Sequence, residues 1–398
     1  MNHMPTARRR AVHLFLVITA ALVLSAHAAA QGGSGQISGT VRDEQGGALP
    51  GVTVTLRNQA TGVQRTVVTE PDGTYRFGAL APGRYAVTAE LSGFAMTEVR
   101  DLEITIGLEL TQNFALTLKS LAETVVVTGE APVVDTTKSE VSGVVTQKQI
   151  ETLPINSRQY LSLALLMPGT SLDSTRSFFP TVNVGGSMTF NSTGNVVDGV
   201  INNFAEDGEP RQNLPEDAVE EFRVSNVQYK AEYGLATGGI VQVVTKSGTN
   251  SLRGTAFEYF RDKALNAKNV FETEKPEFRR HQFGGSIGGP IMRDRMHFFG
   301  AAERTDVQEF YTVSTGLPEF YSSVEGTFAK PFDRTMYFGR VDGQISNAQS
   351  FFVRYAHENE RSTCGGWAEL PLQRQGSIRR RRGGRSWPGT RGCAARGT

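Results

Sequence analysis

Glu123-Thr124-Val125-Val126-Val127-Thr128-Gly129 stands between two stretches of chain with different patterns, and its reading decides how the fold divides. Three valines between threonines favour an extended backbone, because branching at Cβ restricts χ1 and suits a pleated surface. No turn chemistry beside the run folds it back on a neighbour, so it reads as a strand without a partner in this chain. Such a segment is either a plain linker or a strand that awaits the sheet edge of another protein.

Upstream, from Gln36 to Leu118, short alternating segments are separated by turns at the spacing of a small β-sandwich. The predicted strands are Ile37–Val41, Val52–Leu56, Gln64–Thr69, Gly73–Phe77, Arg84–Leu91, Met96–Ile104 and Leu108–Leu118. Gly46-Gly47, Pro71-Asp72-Gly73 and Pro82-Gly83 supply the turns, glycine and aspartate giving backbone freedom and proline presetting φ. Tyr75 and Phe77, then Tyr85, Val87 and Ala89, alternate as one buried face should, so these aromatics read as core rather than as a platform for sugars. Ser38-Gly39-Thr40-Val41-Arg42-Asp43, Leu49-Pro50-Gly51-Val52-Thr53-Val54, Asp72-Gly73-Thr74-Tyr75-Arg76-Phe77 and Leu80-Ala81-Pro82-Gly83-Arg84-Tyr85 resemble the carboxypeptidase regulatory-like domain. The resemblance implies a prealbumin-like, carbohydrate-binding-like sandwich over 36–118 and no peptidase activity.

Downstream, Thr146-Gln147-Lys148-Gln149 predicts a capped helix that Leu153-Pro154 closes. Ser157 opens another, carrying Leu161, Leu165 and Leu166 until Pro168-Gly169. Strand-like pieces follow at Val182–Val184 and Val196–Asp198, an acidic helix start at Pro215-Glu216-Asp217, and strands at Glu221–Val224 and Gly239–Thr245. This mixture predicts an α+β domain over 130–249.

Ile150-Glu151-Thr152-Leu153-Pro154-Ile155-Asn156-Ser157-Arg158, Leu163-Ala164-Leu165-Leu166-Met167-Pro168-Gly169, Val197-Asp198-Gly199 and Tyr233-Gly234-Leu235-Ala236-Thr237-Gly238-Gly239-Ile240-Val241-Gln242-Val243-Val244-Thr245-Lys246-Ser247-Gly248 resemble the plug of TonB-dependent outer-membrane receptors. Combined with the preceding sandwich, they resemble the Oar-like branch of that family. The resemblance implies that 123–129 is a TonB box, with Glu123, Thr124, Val125, Val126, Val127 and Thr128 binding the periplasmic domain of TonB. It also implies uptake of a cargo such as a siderophore, cobalamin, a glycan or a peptide. The physical logic is that an outer membrane has no ATP beside it and must draw on the inner membrane, where each charge yields roughly 2.3 kcal/mol per 100 mV.

Beyond Asn250 the strands lengthen: Leu252–Arg261, His281–Ile291, Met296–Thr305, Thr335–Ser346 and Ser350–Glu360 each approach the roughly nine to eleven residues that cross a bilayer in a tilted barrel. Met292-Arg293-Asp294-Arg295 and Asn347-Ala348-Gln349 suit short periplasmic turns, and the polar stretches after Arg261 and Thr305 suit outer loops. Residues 281–291 are similar to an early barrel hairpin of the same family. Gly284-Gly285-Ser286-Ile287-Gly288 matches a nucleophile elbow, but no strand-to-helix context follows it, so it is not read as catalytic. The residues after Asn250 are too few for the roughly 22 strands of about ten residues in a plugged barrel. The expectation is therefore multidomain: a sandwich, an α+β plug, and the first antiparallel strands of an incomplete transmembrane β-barrel over 250–363. Alternation stops near Cys364, and 364–398 is read as an aberrant arginine-rich tail from truncation or frameshift.

The N-terminus predicts export: Arg8-Arg9-Arg10, an apolar run from Val12 to Leu24, and small residues at Ala26-His27-Ala28 or Ala28-Ala29-Ala30 form a signal peptide over 1–30. The net charge of +1 conceals an acidic body, because Arg374, Arg379, Arg380, Arg381, Arg382, Arg385, Arg391 and Arg396 lie at the end with no acidic companion. Nucleic acid is not expected as a partner. Cys364 and Cys393 fit no zinc spacing, and His281, His297 and His357 are solitary, so neither metal nor cofactor is expected. No nucleophile, base and orienting group converge, which argues against an enzyme. The other reading is a secreted or surface protein that binds carbohydrate or protein through its sandwich.

Overall fold

The structure, a computed structural model, describes residues 35–119, 125–128, 142–153, 155, 158–173, 181–186, 193–204, 210–226, 229, 234, 236–268, 275–313, 317–321, 326–347, 349–363 and 378–382. The signal-peptide reading, together with Glu123, Thr124, Gly129, Pro154 and Ser157, lies outside these.

In the first unit the alternating segments form β1 (Gly35–Asp43), β2 (Thr53–Asn58), β3 (Gln64–Val68), β4 (Thr74–Leu80), β5 (Gly83–Glu90), β6 (Thr97–Ile104), β7 (Glu109–Thr111) and β8 (Phe114–Leu116). One sheet runs β3-β2-β5-β6; the other sets β4 on one side of β1 and both β7 and β8 on the other. The predicted single strand Leu108–Leu118 is two, since β7 lies parallel to Gln36–Ser38 and β8 parallel to Val41–Asp43. Between them Asn113 turns its Oδ1 to accept from Thr40 N at 2.9 Å. Ile37, Val54, Phe77, Val87, Leu102 and Leu116 are wholly buried between the sheets. Tyr75 and Tyr85 are buried as well, and each hydroxyl donates to a backbone carbonyl, of Gln112 at 2.6 Å and Ala81 at 2.8 Å. These rings are core, and no sugar can stack on them.

The valine run does find a partner. β9 (Val125–Thr128) lies parallel to β6, with Thr97 opposite Val125 and Arg100 opposite Thr128. This corrects the reading of an unpartnered strand: a parallel neighbour needs no tight turn, so turn chemistry is silent about it.

The central unit contains β10 (Ser142–Val145), helix α1 (Gln147–Thr152), a 3-10 helix (Tyr160–Leu166), β11 (Thr170–Asp173), β12 (Thr181–Val184), β13 (Thr193–Val197), β14 (Val200–Ile201), a 3-10 turn (Glu216–Ala218), β15 (Val219–Asn226) and β16 (Gly239–Thr245). Its main sheet has the order β10-β15-β16-β13-β14, in which β13 and β16 are parallel; β11 and β12 form a separate hairpin. α1 is capped as expected, Thr146 N donating to Gln149 Oε1 at 2.9 Å. The following helix is not α-helical, and its buried residues are Tyr160, Leu161, Leu163 and Ala164, while Leu165 and Leu166 are exposed. Three residues per turn pair Tyr160 with Leu163 and Leu161 with Ala164, which the expected 3.6-residue period missed.

The third unit is a wall of long antiparallel strands: β17 (Arg253–Asp262), β18 (Phe278–Met292), β19 (Met296–Val313), β20 (Gly326–Ala329), β21 (Phe332–Ser346), β22 (Gln349–Thr363) and β23 (Ile378–Arg382). The order is β17-β18-β19-β21-β22-β23, with β20 pairing the far end of β19. β18, β21 and β22 have 15 residues and β19 has 18, longer than expected because strand pairing continues past the length a bilayer needs. β23 falls within the segment where no strand was expected. The Gly284–Gly288 motif sits inside β18, which excludes an elbow. Phe299, Ala301, Glu303, Thr305 and Val307 alternate inward on β19, while Phe283, Ile287, Tyr337, Val353 and Tyr355 point outward and are exposed. Among the described residues no helix is long and apolar enough to cross a membrane.

Candidate coupling site

Two features could transmit force or motion: the edge strand β9, and the seam between the central unit and the inner face of the wall. β9 ends the five-stranded order β3-β2-β5-β6-β9, so among the described residues no strand pairs with its outer edge. Its described pairing runs from Thr97 to Arg100, next to Asp101, whose φ of 59° accompanies a bulge where β6 slips against β5. A bulge adds a residue and bends the strand.

The seam is built on two arginine–carboxylate clusters. In the first, β13 and β14 are joined by the two-residue turn Asp198-Gly199, with φ of 46° and 81°. Aspartate followed by glycine suits such a turn because both residues tolerate positive φ, and here the turn aims Asp198 at the wall. The Asp198 carboxylate accepts from Arg354 at 2.6 Å and Arg340 at 3.3 Å, and also from Thr245 N at 2.9 Å and Thr245 Oγ1 at 2.8 Å. Arg340 is held in turn by Asp342 at 2.7 Å and lies 4.9 Å from the centre of the Phe352 ring. In the second, Arg158 of the central unit contacts Glu216 at 3.3 Å, Asp217 beside it, and Glu303 of the wall at 3.3 Å. Its guanidinium stacks 3.7 Å from the centre of the Phe257 ring. Burial works against the Arg158 charge, but Glu216, Glu303 and Asp217 together hold its pKa above the ordinary value. Burial pushes Glu216 up to about 7, against the opposing pull of Arg158. Asn213 adds a third tie, its N and Nδ2 each 3.1 Å from the Glu358 carboxylate.

Apolar contact accompanies these bonds, since Phe299, Ala301 and Phe338 of the wall join the central core. The seam is nonetheless rich in polar groups, so sliding would exchange hydrogen bonds for water rather than strand apolar surface.

The first unit is fastened at the short-turn end of the wall. Ala60 O accepts from Asn250 N at 3.0 Å, and Gln64 O accepts from Gln344 Nε2 at 2.7 Å. Asn250 itself bridges to Asp294 at 2.7 Å and His297 at 3.0 Å. Against the central sheet, Ile106 N donates to Glu221, and Arg223 reaches Gly107 O at 3.3 Å. Burial, with Glu220 and Glu103 adding to it, pushes Glu221 up to about 8, although the Ile106 hydrogen bond opposes the shift. Among the described residues no group of three or more histidine, cysteine, aspartate or glutamate side chains is placed to hold a metal.

Residues 36–117 match the carboxypeptidase regulatory-like domain, and residues 244–331 match an outer membrane beta barrel domain. The TonB-dependent transporter Oar of Myxococcus xanthus is 29% identical over 301 residues, which is 71% of this chain and 28% of that protein. The chain is a relative of the TonB-dependent transporters. It spans little more than a quarter of the length of the Oar transporter. Among solved structures, the siderophore receptor PirA of Acinetobacter baumannii is similar at 19% identity and a TM-score of 0.45, covering 57% of this chain and 32% of its own. A ferric enterobactin receptor of Pseudomonas aeruginosa is similar at 16% identity and a TM-score of 0.42, covering 56% of this chain and 33% of its own. The barrel match and the Oar relative assign this chain to the outer membrane, and the proteins it is related to are transporters rather than enzymes.

Sequence reading found β9 but missed the seam. Arg158 and Asp198 both fall within the plug-like motifs, yet their wall partners Glu303 and Arg354 lie 145 and 156 residues away. A lone Asp-Gly turn signal was the one local hint.

Proposed function

We propose that the chain acts in TonB-coupled uptake across the outer membrane, with residues 36–118 as a periplasmic sandwich and 123–129 as the TonB-docking segment. Residues 130–249 serve as the plug, and 250–363 form one arc of a transmembrane barrel. An arc needs further strands to close it, because a bilayer does not tolerate an unpaired sheet edge. The observation that carries this reading is the seam: a separate mixed sheet sits on the inward face of a wall whose outward face is apolar, bound by Arg158–Glu303 and Asp198–Arg354. Such a sheet blocks the lumen until its bonds are exchanged for water. The cargo would be selected by outer loops and the plug's outer end.

The test is retention of the chain, extracted from outer membranes in mild detergent, by immobilised TonB periplasmic domain. Retention is expected, with at least tenfold loss on Val126→Pro, since proline removes a ladder donor. Failure of the unsubstituted chain to bind would sink the reading.

A further inference from the structure

We propose that the sandwich is itself part of the docking site: β6 holds Val125–Thr128 as the outermost strand of its own sheet, and the TonB strand adds to the remaining edge of β9. The inference rests on the TonB reading above and goes beyond it, because it makes the partner's strand the next member of the sandwich sheet rather than a mate for a loose ribbon.

Three observations converge on it. The register is defined over four consecutive residues, Thr97, Glu98, Val99 and Arg100 lying opposite Val125, Val126, Val127 and Thr128. β9 stands last in its sheet, so one side of its backbone is engaged and, among the described residues, the other is not. The sandwich is also anchored to both other units, to Glu221 and Arg223 of the central sheet and to Asn250 and Gln344 at the short-turn end of the wall. The strand is therefore offered on a unit that is tied to both of the others. Strand addition joins two edges through main-chain hydrogen bonds, and an edge already held in β conformation loses less freedom on binding than a free segment. β6 alone would be a poor acceptor for a partner, because its edge carries Glu98 and Arg100, paired with each other at 2.6 Å, and then bends at Asp101. Charged residues and bulges are the usual devices that discourage addition at an edge. β9 lies along that edge and brings three uncharged residues, Val125–Val127, to the end of the sheet.

The test locks the pairing in the full chain and asks whether TonB still binds. With Cys364 and Cys393 changed to serine, Glu98→Cys and Val126→Cys place thiols on opposed residues, and Thr97→Cys with Val125→Cys does the same one position earlier. Arg100→Cys with Val125→Cys is the control, since residues three positions out of register are too far apart for a disulfide. Oxidation, or a short thiol-to-thiol reagent, should link both in-register pairs and spare the control. Affinity for the TonB periplasmic domain is then compared between linked and reduced forms of each variant. The expected result is an affinity within threefold of the reduced form, or tighter. Linkage that weakens binding by more than threefold overturns the proposal while leaving TonB docking intact, because the strand must then leave β6 to bind. Failure of both pairs to link beyond the control overturns it as well. If the pairs link but neither form nor the unsubstituted chain binds TonB, it is the underlying uptake reading that falls, and the proposal with it.

Discussion

Arg354 of the wall donates to Asp198 of the central unit at 2.6 Å, across a boundary that divides two separate sheets. Asp198 also faces Arg340, so one carboxylate balances two guanidinium groups in a largely buried setting. Asp198→Ala takes the carboxylate from Arg354, leaves Arg340 with Asp342 alone, and also removes the acceptor for Thr245. The expected loss is about 3–5 kcal/mol, the cost of breaking a buried pair from one side. Hydrogen exchange of β16 in rising urea checks this, and protection equal to that of the unsubstituted chain would contradict it.

Glu221 gives the junction of sandwich and central sheet a pH dependence. Its folded value of about 8 lies above the ordinary carboxyl value, so the folded state holds the proton more tightly than the unfolded chain. This contribution is fully present below about pH 4 and is lost as pH rises through about 8. At about 1.4 kcal/mol per pH unit it amounts to a few kcal/mol. Denaturation midpoints measured from pH 5 to 9 should fall, and Glu221→Gln should flatten that slope. A slope unchanged by the substitution would remove Glu221 as its cause.

Glu216 contributes similarly at the seam, its folded value of about 7 confining its effect to lower pH. Glu216→Gln should lessen the decline between about pH 4 and 7 and leave the part above pH 7 untouched. The same titration distinguishes the two groups by the window in which each variant departs from the parent.

Period-two alternation made the sandwich strands legible, because Tyr75, Phe77, Val87 and Ala89 each sit where one buried face requires. The wall strands were legible in position but not in length: a bilayer sets a minimum crossing, and nothing in that criterion ends β19 before Val313. Leu165 and Leu166 misled because apolar spacing alone does not distinguish a 3-10 helix from an α-helix. At β9, the β-preference of Val125–Val127 could be read but its partner could not, since β6 is parallel and joined to it by no hairpin. The arginine clusters escaped for a related reason. Their geometry exists only after distant segments have packed.

Gly62 lies where the sandwich meets the wall. Its φ is +72°, and a Cβ there would overlap Asp294 Oδ1 and crowd Asn250 Nδ2. Gly62→Ala therefore combines backbone strain with displacement of a hydrogen-bonded pair, a cost of about 1–3 kcal/mol. The effect should be local, with faster hydrogen exchange at Asn250 N and little change in the sandwich core. Uniform loss of protection throughout the sandwich would mean that Gly62 matters to folding rather than to docking.

Val353 and Arg354 are neighbours on β22 with opposite duties: Val353 is 63% exposed on the outer face, and Arg354 turns inward to Asp198. A strand reverses face at every residue, so exchanging the two puts a charge toward lipid and an apolar side chain against a carboxylate. Val353→Arg alone should cost about 2–4 kcal/mol if the residue lies near the bilayer midplane and less toward either interface. Arg354→Val alone weakens the seam while leaving the outer face unchanged. The exchange should show both defects, since the charge moved to position 353 has no path to Asp198. Partition into detergent micelles, followed by hydrogen exchange, separates the effects: Val353→Arg lowers the micelle-bound fraction, whereas Arg354→Val leaves it near the parent value but speeds exchange in the central sheet. Equal partition of all three variants would contradict a lipid-facing Val353.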